Sequence, residues 1–383
     1  MPLLTADHIY SPQGLLQGHA LETDSAGTIL DLRPLRADET PTTSYAGVLC
    51  PGFVNAHCHL ELSVLAGAIP EGVGMTGFVA EIVRRRGSFD PARQAAAILP
   101  AMERLLAQGT VAVGDICNTD LSLDAKRQLP GLFTYSFIEL LGLDGAKADE
   151  VLARGQALAD RFGDLPHALT LHAPYSVSPA LRDRLLGARP ARLSIHLLES
   201  QAERELFETG GGDFPAFFAE FQLPYRPFPT PDALAHITAG MDSGQPLLLV
   251  HNTELRADEC EDLCARFREV SFCLCPRSNY YLHRRYPDLG VFAACADRLC
   301  LGTDSLASNH SLDVFEEARA LHLRFPGWSL HALLRMLTTQ GAAALGQEGN
   351  LGIFAPGKRP GINLITGLES LRLGTGTQVH RLY

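Results

Sequence analysis

Short apolar runs alternate with longer amphipathic segments through the middle of the chain. Eight of these runs are bounded by turn residues and are typical of buried strands. We predict strands at residues 52–56, 110–114, 132–138, 168–171, 193–195, 246–250, 270–274 and 298–302. Continuously apolar strands that alternate with helices indicate a parallel sheet covered on both faces. Eight such units in succession favour an α/β fold of the closed (β/α)8 TIM barrel type over an open doubly wound sheet.

The segments between these strands repeat apolar residues near the helical period of about 3.6. We predict helices at residues 77–86, 91–108, 149–162, 179–186, 202–208, 231–241, 254–267, 290–296, 313–324 and 330–345. The segment after Asp120 is short and poorly periodic, so no full helix is predicted there.

Both ends of the chain lack a helical period. Strand-like pieces occur at 15–21, 28–32 and 47–50, and turn-rich, strand-like sequence returns at 350–353 and 362–365 before a polar end. Neither end is long enough to bury a core alone. We therefore predict that residues 1–50 and 349–383 form one small β-sandwich, and that residues 51–348 form the barrel.

The charge balance excludes some classes of partner. The 383 residues carry a formal net charge of −11, without a block of like charges, which disfavours a nucleic-acid groove or an anionic membrane surface. A small-molecule substrate is the better expectation. We find no apolar run long enough to span a membrane and no export signal, and so expect a cytoplasmic protein. A homodimer is an assembly that the sequence leaves open.

Nine cysteines, an odd number, are scattered through apolar segments. This usage is typical of a reduced protein in which cysteines serve as small buried hydrophobes. Cys260 and Cys264 could share a helix face, and Cys273 and Cys275 a strand face, so a thiolate metal cluster is the less favoured alternative. Cys58 should face the helix layer.

Polar side chains gather directly after the predicted strands, where active sites collect in barrels of this kind. The residues at these ends are His57, His59, Asp115, Glu139, His172, His196, Glu199, His251 and Asp304. Residues i and i+2 of a strand point to one face, so His57 and His59 can direct two imidazoles to one point. Glu199 follows His196 by three residues.

One metal ion can be built from this set. His57, His59, His196 and Asp304 offer nitrogen and oxygen ligands that suit zinc or ferrous iron and leave room for a water. The alternative is four polar residues held by hydrogen bonds at a barrel rim, which the joint pattern disfavours. The fourth strand has no lysine that could bridge a second ion. We therefore predict one divalent metal ion, Zn²⁺ first and Fe²⁺ second.

The order of these motifs resembles the amidohydrolase superfamily. The matching motifs are His57-x-His59, His172-Ala173-Pro174-Tyr175, His196 with Glu199, His251, Ser278-Asn279, Gly302-Thr303-Asp304-Ser305 and Ala307-Ser308-Asn309. They are most similar to the single-metal deaminases and chlorohydrolases, among them adenosylhomocysteine, guanine and aminodeoxyfutalosine deaminases. The resemblance spans essentially the whole chain, and the combination is specific although each motif alone is weak.

The resemblance implies a role for each matched residue. The metal ligands would be His57, His59, His196 and Asp304. Glu199 would carry a proton from the attacking water to a ring nitrogen, His251 and Asp304 would polarise that water, and His172 would contact the substrate. The implied reaction is hydrolytic deamination of an aminopurine-type nucleoside or base, with aminodeoxyfutalosine as one candidate. Hydrolysis of another C–N or C–Cl bond, as in chlorohydrolases or amide-cleaving relatives, stays open.

The substrate itself is the least defined feature. Further predicted contacts are Glu61, Glu139, Ser305 and Asn309. For Glu61 and Glu139 a solvated acid is an equal alternative, and Asp115 is equally suited to capping a loop. The benzoate of aminodeoxyfutalosine would suit a guanidinium partner, for which the candidates are Arg84, Arg85, Arg86 and Arg277. We expect His236 and His331, which lie in predicted helices, to be structural or surface residues, whereas His310 is a weaker candidate for the pocket.

Overall fold

The computed structural model describes residues 2–86 and 89–383. Its strands are β1 Leu3–Ser11, β2 Gly14–Leu16, β3 His19–Thr23, β4 Ile29–Pro34, β5 Thr43–Cys50, β6 Phe53–Cys58, β7 Thr110–Cys117, β8 Phe133–Leu140, β9 His167–Leu171, β10 Leu193–Leu197, β11 Leu247–His251, β12 Val270–Leu274, β13 Leu299–Leu301, β14 Asn363–Thr366 and β15 Gln378–Arg381.

The helices lie mainly between the central strands. The α-helices are α1 Gly74–Arg86, α2 Pro91–Ala107, α3 Leu123–Gln128, α4 Ala148–Phe162, α5 Pro179–Gly187, α6 Gln201–Thr209, α7 Phe214–Glu220, α8 Ala233–Thr238, α9 Ala257–Arg266, α10 Pro276–His283, α11 Val314–Arg324, α12 Leu330–Arg335 and α13 Gly341–Ala344. Leu60–Leu65, Gly145–Lys147, Pro174–Ser176 and Leu289–Arg298 are 3₁₀ helices, and the π-helical turn Met336–Gln340 joins α12 to α13.

The eight central strands form two parallel sheets, β6-β7-β8-β9 and β10-β11-β12-β13. Backbone hydrogen bonds link these sheets at both edges. The amide of His196 donates to the carbonyl of His172 between β9 and β10, and the amide of Thr303 donates to the carbonyl of His57 beside β6, both at 2.9 Å. All eight predicted strands are present. The carboxyl end of β6 lies next to that of β13, and the carboxyl end of β10 lies next to that of β9.

The chain termini share a third sheet. Its order is β15-β14-β5-β1-β3-β4, with β2 paired to β1, so strands from both ends of the chain lie side by side. Strand β14 pairs antiparallel with β5, directly before the first central strand. The association of the two termini was predicted, and their arrangement as a two-layered sandwich stays a prediction.

Several sequence predictions need correction. Residues 350–353 form a turn and bends after α13 instead of a strand, and 290–296 lies in a 3₁₀ helix that is kinked at Cys295. Residues 378–381 were predicted to belong to a polar end, but they form strand β15. The side chains of this strand are mostly exposed, so its pairing with β14, and no apolar pattern, makes it a strand. Strand β1 and helices α7 and α10 were not predicted.

The cysteines also differ from expectation. A disulfide joins Cys264 on α9 to Cys295, so the prediction of reduced thiols throughout is wrong for this pair. The two residues are 31 apart in sequence, and only the packing of α9 on the 3₁₀ helix brings them together. Cys58 packs among apolar residues of α2, as predicted. Within the described residues, no helix is long and apolar enough to cross a membrane.

Candidate active site

Four side chains converge where β6, β10 and β13 end. The Nε2 atoms of His59 and His196 are 3.2 Å apart. Asp304 Oδ1 lies 3.4 Å from His59 Nε2 and 3.7 Å from His57 Nε2. Tetrahedral ligands at about 2.1 Å from an ion are separated by about 3.4 Å, so these spacings suit zinc or an ion of similar size.

His57 gives the clearest sign that this cluster suits a metal. It is fully buried, and neither ring nitrogen has a hydrogen-bond partner among the described residues. A buried polar atom without a partner is costly unless a ligand satisfies it. Burial lowers the pKa of His57 and lowers that of His196 well below its ordinary value, so both imidazoles are neutral and free to coordinate.

The local backbone holds the side chains of this site in place. Asp304 has a φ of 57° and His251 a φ of 71°, a region that non-glycine residues adopt at a cost of about 1–3 kcal/mol. A Cβ atom on Gly302 would lie 2.8 Å from both the Cβ and the carbonyl oxygen of His57. Glycine at this position therefore allows the last strand to approach the first ligand.

The second oxygen of Asp304 is held by two serines. The hydroxyls of Ser278 and Ser308 donate to Asp304 Oδ2 at 2.7 and 2.6 Å. Burial alone would raise the pKa of Asp304, but His57 and its neighbours hold it well below the usual value. The carboxylate is thus ionised, with Oδ1 left to face the histidines. Both serines belong to the motifs quoted above, but the sequence assigned them no role.

Glu199 and His251 stand beside the cluster. His251 Nε2 is 3.6 Å from Glu199 Oε2, and both residues are buried. Burial raises the pKa of Glu199 well above its ordinary value, and the charges of Asp304 and Glu203 act in the same direction. Burial lowers the pKa of His251 to about 3. This pair therefore places a carboxyl that retains its proton next to a neutral imidazole.

Glu203 anchors the Glu199 backbone. The amide of Glu199 donates to Glu203 Oε2 at 3.0 Å, from the first turn of α6. Burial raises the pKa of Glu203 to about 7. Sequence reasoning missed this residue, although its place four residues after Glu199 at a helix start could have signalled it.

A cavity opens over this cluster. Its floor is polar and includes His59, Asn118, Glu139, His172, His196, Glu199, His251 and Asp304. Its wall is apolar and comes largely from α1, which contributes Met75, Phe78, Val79, Ile82 and Val83. Among the described residues, no lysine or arginine lines it. The cavity thus suits a neutral, largely apolar group above a polar reaction centre.

Comparison with known proteins agrees with this geometry. Residues 48–374 match the model described as "Amidohydrolase family". The chain belongs to the amidohydrolase family. The resemblance predicted from the motifs is therefore confirmed, and the fold is the α/β amidohydrolase fold.

The similar amidohydrolases include named deaminases. The chain is 30% identical to an aminodeoxyfutalosine deaminase of Deinococcus radiodurans, over 90% of this chain and 85% of that one. It is 27% identical to one of Nitratiruptor, over 98% and 92%. The crystal structure of Helicobacter pylori aminofutalosine deaminase with methylthio-coformycin superposes with a TM-score of 0.82 at 23% identity, covering all of both chains, which shows a shared fold.

The predicted substrate contacts of this amidohydrolase fall into two groups. His172 and Glu139 line the cavity, and Glu139 accepts a 2.9 Å hydrogen bond from Asn118, a lining residue that the sequence reading missed. Asn118 directly follows β7, so its place at a strand end was the available signal. Oε1 of Glu139 has no hydrogen-bond partner among the described residues. Both His172 and Glu139 lie at the cavity surface, and their contact with a substrate stays a prediction.

The second group is bonded within the protein. Glu61 accepts from the amides of Asn118 and Thr119 and from the Thr119 hydroxyl. Ser305 lies 3.0 Å from Ser308, and the Asn309 amide donates to the Thr303 carbonyl and to a carboxylate of α11. Their contact with substrate stays a prediction.

Asp115 forms a buried ion pair beneath the site. Its Oδ2 lies 2.6 Å from Lys126 Nζ, with both side chains fully buried, and its Oδ1 accepts from the amide of Leu60 at 2.9 Å. Asp115 thus holds the start of the 3₁₀ helix that carries Glu61. It does not line the cavity.

The remaining candidates point elsewhere. Arg84 and Arg85 pair with Glu81, and the side chain of Arg86 lies outside the described residues. Arg277 and His310 line a different cavity. His236 and His331 bond to the backbone carbonyls of Val177 and Ser11, so their predicted structural roles are confirmed.

Proposed function

We propose that this amidohydrolase is a metal-dependent hydrolytic deaminase that releases ammonia from an aminopurine-type nucleoside or base. The observation that carries the proposal is the buried cluster of three histidines and one aspartate with Glu199 beside it. Named deaminases among the relatives support the reaction class.

We further propose that His57, His59, His196 and Asp304 hold one divalent ion, most suitably Zn²⁺ with Fe²⁺ as the alternative. The interatomic spacings and the unpartnered nitrogens of His57 support this ligand set. A bound metal supplies a nucleophile at neutral pH, because coordination lowers the pKa of water from about 15.7 to about 7.

The protein residues then manage the protons. Glu199 delivers its proton to a ring nitrogen, which makes the adjacent carbon electrophilic, and then takes up the proton that the attacking water loses. His251 and Asp304 orient and polarise that water. Addition of water and loss of the amino group as ammonia convert the C–NH₂ of the ring into a carbonyl, and a second proton transfer completes the leaving group. His172 and Glu139 orient the substrate from the cavity floor.

Residues 51–348 are proposed to form a closed (β/α)8 TIM barrel, with residues 1–50 and 349–383 as a composite β-sandwich. The hydrogen bonds at both edges of the two central sheets support barrel closure. Cytoplasmic localisation and a homodimer also stay predictions.

For the substrate, aminodeoxyfutalosine is the first candidate, since relatives over most of the chain carry that name. The apolar α1 wall instead favours a substrate with a neutral group far from the reacting amine, so the relatives and the cavity favour different 5′ ends. Activity on a panel of 6-aminopurine nucleosides, with and without a carboxylate at the 5′ end, shows whether the enzyme prefers an anionic or a neutral substrate.

The decisive assay measures ammonia release by protein of known metal content across this panel. We expect stoichiometric ammonia and the matching 6-oxopurine. Chloride release from a chloro-analogue without ammonia from any aminopurine would favour the chlorohydrolase alternative. Complete inactivity of metal-replete protein on every cyclic amidine would contradict the proposal.

A further inference from the structure

A second cavity lies between α10 and α11, outside the site described above. It encloses about 430 Å³. Its lining is rich in arginine and tyrosine, chiefly Arg277, Arg284, Arg319, Arg324, Tyr280 and Tyr286. We call it the arginine–tyrosine cavity. Such a concentration of guanidinium groups contrasts with the net charge of −11 of the whole chain.

The charges of this lining are incompletely paired. Its two carboxylates are already engaged, Glu71 with Arg284 and His310, and Glu316 with Arg319. Among the described residues, no carboxylate lies within ion-pair distance of the Arg277 or Arg324 guanidinium, and Arg277 instead donates to the Ser311 hydroxyl at 3.0 Å. Burial raises the pKa of Tyr286, the charges of Tyr280 and Glu317 act in the same direction, and the charges of Arg277 and Arg324 oppose the shift, so both guanidinium groups act on the same phenol.

Flat aromatic surface accompanies this excess positive charge. The rings of Tyr280 and Tyr286 stack with centroids 4.9 Å apart and planes inclined by 22°. Tyr280 is 41% exposed, and the Arg284 guanidinium carbon lies 5.5 Å from its ring centroid, so the tyrosine pair forms an aromatic surface flanked by a guanidinium. Planar guanidinium groups bind carboxylate and phosphate oxygens in pairs, and aromatic faces accept other planar rings.

We propose that the arginine–tyrosine cavity is a binding site for a small organic anion in which a carboxylate or phosphate is carried on a planar ring. The anion pairs with Arg277 and Arg324, and the ring packs on the tyrosines. This site is independent of the proposed deaminase reaction.

Helix α10 separates the anion site from the catalytic cluster. Its first turn presents Arg277 to the cavity, while the neighbouring Ser278 donates to Asp304. Tyr281, also in the cavity lining, packs in one buried cluster with Phe78 of the substrate cavity. The two cavities are therefore neighbours across a packed wall, and a test must distinguish them.

Calorimetric titration of the metal-loaded protein tests the proposal with four probes. Phenyl phosphate and benzoate carry an anion on a ring, inorganic phosphate lacks the ring, and benzamide lacks the charge. We expect saturable binding of at least one ring-bearing anion, weaker binding of phosphate and none of benzamide. Equal binding of benzamide, or no binding of either ring-bearing anion, would overturn the proposal.

Variants identify where the probe binds. Arg277→Gln/Arg324→Gln should weaken binding about tenfold or more, since it removes both unpaired charges. Arg324→Gln alone, a change on the exposed face of α11, should act in the same direction and guards against misfolding of the double variant. Arg184→Gln, on the exposed surface of α5 where Arg184 pairs with Asp149, is the matched control and should bind as the parent does.

The His59→Ala variant shows whether the anion binds in the arginine–tyrosine cavity or at the proposed metal site, where phosphate could also bind. Retained binding in this variant, together with loss in the arginine variants, supports the proposal. Loss in His59→Ala with unchanged binding in Arg277→Gln/Arg324→Gln would place the anion at the metal and overturn it.

Discussion

Two buried carboxyl groups of this site, Glu199 and Asp304, differ in protonation. Burial and the negative charge of Asp304 raise the pKa of Glu199, so it retains a proton, whereas His57 and the neighbouring histidines hold the pKa of Asp304 well below its ordinary value. Two buried carboxyl groups of one site thus differ in protonation because their surroundings differ.

Glu199→Gln should retain the metal but lose turnover by about 10²–10⁴-fold, because the amide cannot carry a proton. Metal analysis and ammonia release measured on the same preparation check both parts. Glu205→Gln, on the same helix region, is the matched control and should keep both. Substantial activity in Glu199→Gln would remove this residue from the mechanism.

Glu203 should make stability depend on pH. Its pKa is about 7 in the folded protein and 4.5 in a free side chain, so between these values the folded state binds more protons than the unfolded state. Stability therefore falls as pH rises from about 4.5 to about 7, by up to about 3 kcal/mol, and levels off above.

The Glu203→Gln variant should lack this decline. Urea unfolding at several pH values would show that the free energy of unfolding of Glu203→Gln, relative to that of the parent protein, increases as pH rises. The control Glu205→Gln tests whether replacing another glutamate of α6 by glutamine changes the pH dependence of stability in the same way. Parallel stability profiles for the parent and Glu203→Gln would rule out the predicted titration.

The residues of the metal cluster could be predicted because each follows an apolar strand, and strand ends meet in one place. Glu203, Asn118 and the roles of Ser278 and Ser308 were not predicted. Their importance depends on which backbone amide or carboxylate oxygen they reach, and neither spacing nor hydrophobicity encodes that contact. Glu61 was predicted as a contact from its place in the motif, yet its oxygens are bound by the neighbouring loop.

Among the elements, α3 has an influence larger than its six residues suggest. It brings Lys126 into the interior, where the ammonium pairs with Asp115 of β7 and bonds to Ser136 of β8 at 2.8 Å. Asp115 in turn holds the amide of Leu60, directly after the His59 ligand. A poorly periodic segment thus supports the cluster of three histidines and Asp304 through one buried charge.

Lys126→Met should destabilise the protein by about 3–5 kcal/mol, because it leaves the Asp115 carboxylate buried and unpaired. Lys147→Met, at an exposed position, should change stability by less than about 0.5 kcal/mol. Urea unfolding of both variants makes the comparison. Equal stability of the two would show that the buried pair contributes nothing.

A compensating change sharpens the test. Asp115→Asn added to Lys126→Met removes the stranded charge and should recover part of the lost stability. Further loss in the double variant would instead indicate that Asp115 is stabilised by contacts other than Lys126.

The sequence predicted most central elements because buried parallel strands are continuous apolar runs that need no partner to be recognised. Strand β15 depends on pairing with β14, and its exposed side chains carry no apolar pattern. The disulfide between Cys264 and Cys295 depends on packing between two distant segments. Features created by tertiary contact were therefore the ones missed.

At the scale of the whole molecule, both chain ends meet in one sheet, and β5 leads from that sheet directly into β6 and its ligands. The central strands then bring His57, His59, His196 and Asp304, the proposed ligands, from the ends of β6, β10 and β13 to one buried point. One ion can thus connect three distant parts of the chain, and its binding should stabilise the folded state.

Titration of metal-stripped protein with zinc, followed by ammonia release from an aminopurine nucleoside, tests the central claim most directly. We predict that activity rises in proportion to added metal and reaches its maximum at one ion per chain. Activity that needs two ions per chain, or that is complete without metal, would contradict a single-metal deaminase.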